Sequence, residues 1–166
     1  MPKRILLAGA VTAITDGLFS SVLNVFAYHS TVARLFQGVA AVLLGPDALN
    51  GGARTAIVGV LMHCGVALWW SAVFAVLAAS LPWLRGALRS TAGVVTVAAI
   101  YGPLVWVVMS LVVIAALLHR PTAINPRWWV QFVGHFPFVG LPIVASIARA
   151  DSYFRPSGSR RSRAPS

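Results

Sequence analysis

Acidic residues are almost absent from this sequence, which has three aspartates and no glutamate against thirteen lysines and arginines. So few carboxylates leave little scope for a paired catalytic acid and base or for an oxygen-rich metal site. The sequence also contains no glycine-rich phosphate loop and no nucleophilic serine motif. We therefore expect a protein without conventional enzymatic activity, without catalytic residues and without a metal ion.

Cysteine is scarce as well, because Cys64 is the only one in the chain. A single thiol excludes an internal disulfide framework and a cluster of thiolate metal ligands. Charged residues of both signs make up only 10% of the chain, whereas 58% is hydrophobic and the mean hydropathy is +0.83. This composition lies far from that of soluble domains and indicates a protein that is embedded in a lipid bilayer.

Apolar stretches dominate the rest of the sequence, and each of the longest has at least the roughly 20 residues that a membrane-spanning helix requires. They cover residues 5–28, 56–81, 91–118 and 128–148. A shorter stretch, residues 32–44, cannot cross, but its apolar side chains recur at helical spacing. We predict an all-α integral membrane protein with four transmembrane helices and a short interfacial or re-entrant helix between the first and the second.

The basic residues lie mainly outside the predicted spans, so the net charge of +10 is read as an orientation signal and no nucleic-acid partner is expected. One side of the bundle has Lys3, Arg4, Arg85, Arg89 and the arginines after residue 148, and the other has Arg34, Arg54, Arg120 and Arg127. The positive-inside rule makes the richer side cytoplasmic and places both termini there. Residues 1–150 then form one transmembrane domain, and residues 151–166 form a basic, disordered cytoplasmic tail.

The most informative polar residue is Asp16, which lies inside the first apolar stretch. Thr12, Ser20 and Asn24 lie one or two helical turns away and therefore share its face of the helix. A central aspartate in lipid costs about 2.5 to 3.5 kcal/mol, so this stripe should face other helices or water.

Further polar side chains are expected near the depth of Asp16, because the rise per residue of a helix fixes their distance from the flanking arginines. His63 and His135 fall in the outer half of their helices, and Tyr101 falls nearer the middle. Gln131 precedes His135 by one turn on the same face. The candidate buried polar cluster consists of Asp16, Ser20, Asn24, His63, Tyr101, Gln131 and His135.

This cluster has three interpretations. Its members can hydrogen-bond with one another and only fix the packing of the bundle. Alternatively, a buried aspartate and histidine can exchange protons, which suits a small transporter or proton-handling protein. Thirdly, His63 and His135 can serve as the two axial ligands of a haem held inside the bundle, although no cofactor is predicted as such.

A second stripe on the first predicted helix consists of small residues. It comprises Gly9, Ala13, Gly17 and Ser21. Small residues at this spacing let two helix backbones approach closely, either within the chain or between copies. The preferred function is therefore an accessory or scaffold component that associates with itself or with a larger membrane complex.

Several short motifs resemble those of small bacterial inner-membrane proteins with four spans. They are Leu-Phe-Gln-Gly at 35–38, Gly-Gly-Ala-Arg-Thr-Ala at 51–56 with His63 after it, Tyr101-Gly102, and Gly134-His135 with Val-Gly-Leu-Pro at 139–142. More distantly, residues 56–148 resemble the YagU family, which also places a histidine before the short cytoplasmic link and a Gly-His pair in the last helix. The resemblance implies a four-helix architecture in the bacterial inner membrane, and it supplies no substrate.

Overall fold

The computed structural model describes residues 2–152, and within them the chain is helical without any strand. Four helices are long and apolar enough to cross a membrane, and a short helix lies between the first and the second. The crossing helices are α1 (Pro2–Ala27), α3 (Gly52–Ser80), α5 (Thr91–Leu118) and α6 (Pro126–Ala148), and the short ones are α2 (Val32–Leu44) and α4 (Pro82–Ala87). The predicted fold class is confirmed.

The predicted tail is described only at its start. The last helical segment, Leu141–Ser152, runs past residue 150, where the tail was expected to begin. Residues 153–166, which carry the rest of that prediction, lie outside the described residues.

Local signals at the turns explain where several helices begin. The side chains of Thr31, Ser90 and Asn125 each accept a hydrogen bond from a backbone N–H in the first turn of α2, α5 and α6. Proline occupies the first position of α4 and α6. The backbone N–H of that position has no partner within a helix, so its absence in proline breaks no hydrogen bond. The polar connections therefore stop one apolar helix and start the next.

Three of the crossing helices contain a π-helical segment. The segments are Leu23–Ala27 in α1, Val108–Ile114 in α5 and Phe136–Gly140 in α6. Pro137 lies in the third and cannot donate a backbone hydrogen bond, which favours a local departure from α-helical geometry. The Thr15 hydroxyl of α1 donates to the Phe138 carbonyl of this segment at 2.7 Å, so the neighbouring helix binds the irregular turn.

Two glycines bring the backbones of α5 and α6 into direct contact. A Cβ atom added at Gly102 would collide with the carbonyl oxygen of His135, and one added at Gly140 would collide with the carbonyl oxygen of Ala98. Each glycine therefore lies directly against the backbone of the other helix. The contact fixes α6 beside α5 next to the fully buried Ile143 and Val144.

This crossing predicts a sharp difference between two alanine substitutions. Gly140→Ala should destabilise the bundle by about 1 to 3 kcal/mol, because the new methyl group cannot enter without moving α5. Gly65→Ala on α3 is the matched control, since a Cβ atom at that glycine meets nothing within 4 Å. Equilibrium unfolding in mixed detergent micelles measures both, and equal stability of the two variants would contradict the close crossing.

Candidate functional site

A cavity of about 480 Å³ lies between α1, α2, α3, α5 and α6. Its polar lining residues are Thr12, Asp16, Ser20, Asn24, Arg34, His63, Gln131 and His135. The α1 members recur every four residues, and Gln131, His135, Val139 and Ile143 do the same along α6. Because such residues share one face of a helix, two rows turn toward the same space. The rest of the wall is mostly aliphatic and aromatic.

Most of the predicted polar cluster lines this cavity, and Tyr101 is the exception. The Tyr101 hydroxyl donates instead to the carbonyl oxygen of Trp70 at 2.7 Å, and its ring packs 4.8 Å from the ring of Phe74. Counting along α5 gave the depth of Tyr101 but not the direction in which it points. The Tyr101 ring packs against Trp70, which lines the cavity, but does not line the cavity itself.

Asp16 and His63 form the central pair of the cavity. The Nδ1 atom of His63 lies 3.9 Å from Oδ2 of Asp16, and both side chains are largely buried. The Nε2 atom of His63 lies 3.0 Å from the carbonyl oxygen of Ala13. A carbonyl only accepts hydrogen bonds, so this nitrogen carries the proton of the neutral ring.

That assignment determines what the other ring nitrogen does. In neutral His63 the Nδ1 atom then has a lone pair directed toward the Asp16 carboxylate, and two acceptors repel each other. One proton placed on either group removes this repulsion and makes the pair neutral overall. The geometry therefore suits a pair that holds or releases one proton.

His135 approaches the same space from α6. Its Nδ1 atom donates to the carbonyl oxygen of Gln131 at 2.7 Å, which leaves Nε2 as the acceptor of a neutral ring. The ring of Trp106 packs 4.8 Å away, centroid to centroid. Asp16 and His63 are both close enough to His135 to act on it electrostatically. The cavity thus contains one carboxyl group and two imidazoles.

Several buried polar atoms have no hydrogen-bond partner within the described part of the protein. Five belong to residues that line the cavity: Thr12 Oγ1, Asp16 Oδ1, Trp70 Nε1, Trp106 Nε1 and Gln131 Oε1. Buried polar atoms are nearly always satisfied, since leaving one unpaired costs about 1 to 3 kcal/mol. This set of donors and acceptors is therefore suited to a bound polar molecule or to ordered water.

The small-residue stripe of α1 packs within the chain. A Cβ atom at Gly9 would lie 2.5 Å from Leu68 Cδ2, and one at Gly17 would lie 3.4 Å from His63 Nε2. Ala13 provides the carbonyl oxygen that binds His63, and Ser21 is half-buried. At Gly9, Ala13 and Gly17 the small side chains thus let α3 bring its histidine against α1.

Sequence analysis missed the aromatic and basic parts of the wall. Trp70 lies seven residues after His63, so its position on the same face of α3 could have been read from helical spacing. Phe36 and Arg34 of α2 had no such signal, because the approach of α2 to the bundle is a tertiary property. Phe36 makes an edge contact with His63 at 5.9 Å, and Arg34 is exposed and donates to the Leu49 carbonyl at 2.7 Å.

No protein-family model, curated protein or solved structure matches this chain.

A haem with two histidine ligands does not fit this arrangement. An axial ligand must offer a free ring nitrogen to the iron. In His63, Nε2 is bound to the Ala13 carbonyl and Nδ1 faces Asp16, so neither nitrogen is available. Among the described residues, no three histidine, cysteine or aspartate side chains are grouped so that they could hold a metal ion.

The position of the polar stripe predicts which side of α1 is accessible to water. In a Cys64→Ala background, Ser20→Cys places a thiol on the cavity wall, and Leu18→Cys places one on a side chain that is 62% exposed on the apolar surface of the bundle. A positively charged methanethiosulfonate reagent should modify the first at least about tenfold faster in proteoliposomes, because thiols ionise poorly in lipid. Equal rates, or faster labelling at position 18, would show that the stripe does not face the cavity.

The Asp16–His63 pair predicts energetic coupling between these two residues. A double-mutant cycle of Asp16→Asn and His63→Gln should deviate from additivity by about 0.5 to 3 kcal/mol, as expected for groups in direct contact. Asp16→Asn combined with Ser90→Ala, which removes the helix cap at the start of α5, is the control and should be additive. Unfolding free energies in detergent give both values, and additivity in the first cycle would disprove the pairing.

Proposed function

We propose that this protein is a small proton-coupled carrier, which binds a solute in the cavity and couples binding to the proton held by Asp16 and His63. The observation that carries the proposal is the convergence of a carboxyl group, two imidazoles and several unpartnered polar atoms on one internal space. Ionisable residues inside membrane bundles commonly mark solute and proton pathways.

The size and lining of the cavity support binding of a small molecule. Ligand sites usually measure about 300 to 1,000 Å³ and combine an apolar wall with a few placed polar groups. The cavity volume of about 480 Å³ lies in this range, and its polar atoms are concentrated on α1, α3 and α6. A solute could therefore be recognised by hydrogen bonds at one side and by apolar contacts at the other.

The accessory or scaffold function has less support from the geometry. It was suggested by the small-residue stripe, but Gly9 and Gly17 are used against α3. Association with another membrane protein or with a second copy would have to use the large apolar side chains on the outside of the bundle, which lipid can cover equally well. The stripe therefore gives no surface that needs a partner.

We also propose that the protein resides in a bacterial inner membrane with both termini in the cytoplasm. Lys3 and Arg4 begin α1, and Arg85 and Arg89 flank the connection between α3 and α5, so these basic residues share one end of the bundle. In that orientation Arg34 lies on the periplasmic side. Since Arg34 is exposed and lines the cavity, solute would enter from the periplasm.

The binding proposal is tested with three probes that share one ring system: 1-naphthylmethylamine, 1-naphthylmethanol and 1-naphthylacetate. At least one should bind the purified protein in equilibrium dialysis, and Gly38→Phe should weaken that binding at least about tenfold by filling the cavity. A Cβ atom at Gly38 meets nothing within 4 Å, so the variant should fold normally.

Gly65→Phe is the matched control for the filled cavity. Gly65 is also helical and has open space around it, but it does not line the cavity. This variant should bind like the unmodified protein. Binding of none of the probes, or equal loss of binding in both variants, would refute a solute site in the cavity.

A further inference from the structure

The charges around the cavity are unevenly placed. Among the described residues, Asp16 on α1 is the only acidic one that lines the cavity, whereas His63 and His135 come from α3 and α6 and the α5 lining is uncharged. Arg34 on α2 lines the rim but is exposed, and its guanidinium donates to the Leu49 carbonyl. A charge in contact with solvent is strongly screened, whereas the Asp16 side chain is only 15% exposed. The interior field is therefore set by one carboxylate and its histidine.

Two unpartnered acceptors of the cavity are suited to hydrogen-bond donors on a ligand. Asp16 Oδ1 and Gln131 Oε1 have no partner within the described residues. An amide oxygen only accepts hydrogen bonds, and a carboxylate oxygen does the same when Asp16 is ionised. A protonated amine offers up to three N–H donors together with the opposite charge. An anion would instead face the carboxylate, and a neutral alcohol would offer a single donor without charge.

The aromatic part of the wall suits the apolar part of such a ligand. Phe36, Trp70 and Trp106 all line the cavity, and aromatic faces attract cations while they cover apolar groups. The indole nitrogens of Trp70 and Trp106 are unpartnered donors, so an oxygen on the ligand body would also find a partner. The lining thus combines a carboxyl group with aromatic surfaces around one cavity.

We propose that the solute is a protonated organic amine with an apolar body, and that its ammonium group replaces one proton carried by the Asp16–His63 pair. This inference rests on the proposed function and specifies its substrate class. In the proposed exchange the pair starts neutral, with one proton on either group. When the amine binds, that proton leaves, Asp16 is a carboxylate, and His63 is neutral with its Nε2 proton still donated to Ala13. One positive charge enters and one leaves.

Charge conservation in the interior is the physical reason for this exchange. If the pair kept its proton, the ammonium group would be an uncompensated charge inside a bundle of low dielectric constant, which would cost several kcal/mol, so amine and proton should exclude each other. His135 takes no part in the exchange, because its Nδ1 proton stays donated to the Gln131 carbonyl and the net charge of the cavity does not change. The exchange is consequently electroneutral, with one proton released for each amine bound.

The three naphthyl probes distinguish this inference from the proposed function. We expect 1-naphthylmethylamine to bind at least tenfold more tightly than 1-naphthylmethanol, and 1-naphthylacetate to bind most weakly. If the alcohol or the carboxylate binds as tightly as the amine and Gly38→Phe still blocks binding, the amine specificity is overturned while the solute site stands. If no probe binds, the proposed function itself fails.

Two further measurements test the role of the proton. Calorimetric titration of the unmodified protein in buffers of different ionisation enthalpy should show release of about one proton per amine, and affinity should rise by up to about tenfold per pH unit while the pair is protonated. Asp16→Asn should weaken amine binding at least tenfold and should weaken alcohol binding less, because the alcohol has no charge to pair with the carboxylate. Asp47→Asn, an exposed aspartate outside the cavity, is the matched control and should have no effect. Amine binding without proton release would overturn the exchange.

Discussion

The burial of one carboxyl group inside an apolar bundle is the constraint on which the rest of this structure depends. Asp16 can remain there only because His63 reaches it from α3, and His63 is held by its hydrogen bond to the Ala13 carbonyl one turn earlier on α1. Gly17 lies beside this imidazole, and a Cβ atom there would lie 3.4 Å from Nε2, so a larger side chain would crowd the ring. Ala13, Asp16 and Gly17 on α1 thus form the binding surface for the His63 ring.

The other wall of the cavity depends on backbone geometry. Gly102 and Gly140 allow α5 and α6 to touch, and the contact includes the carbonyl oxygen of His135. Immediately after His135 the helix becomes π-helical, and Thr15 of α1 binds the Phe138 carbonyl within that segment. The histidine is therefore positioned by both neighbours of α6. Irregular turns of this kind are frequent at functional sites of helical proteins, where they redirect side chains into a shared space.

Sequence reasoning was strongest where a property belongs to one helix. Hydropathy found α5 at its observed bounds and placed α2 at residues 32–44, and four-residue spacing found the row from Asp16 to Asn24. It was weakest where a property depends on how helices are rotated against each other. Depth along α5 gave no direction for Tyr101, and nothing local indicated that α2 would bring Phe36 against His63. Residue spacing gives the angular position of a side chain around its own helix axis, whereas the lining of a cavity also depends on how five helices are rotated against one another.

The size of the cavity argues against a purely structural interpretation of the polar cluster. Unpartnered polar atoms line a space of about 480 Å³, which is large enough for several water molecules or for a small solute. Water or solute in this space would satisfy those atoms. A bundle that needed only to pack would close it with larger side chains at Gly38, where nothing lies within 4 Å of a Cβ atom, or at Ala67. Small residues beside an ionisable pair keep room for a molecule that the pair can recognise.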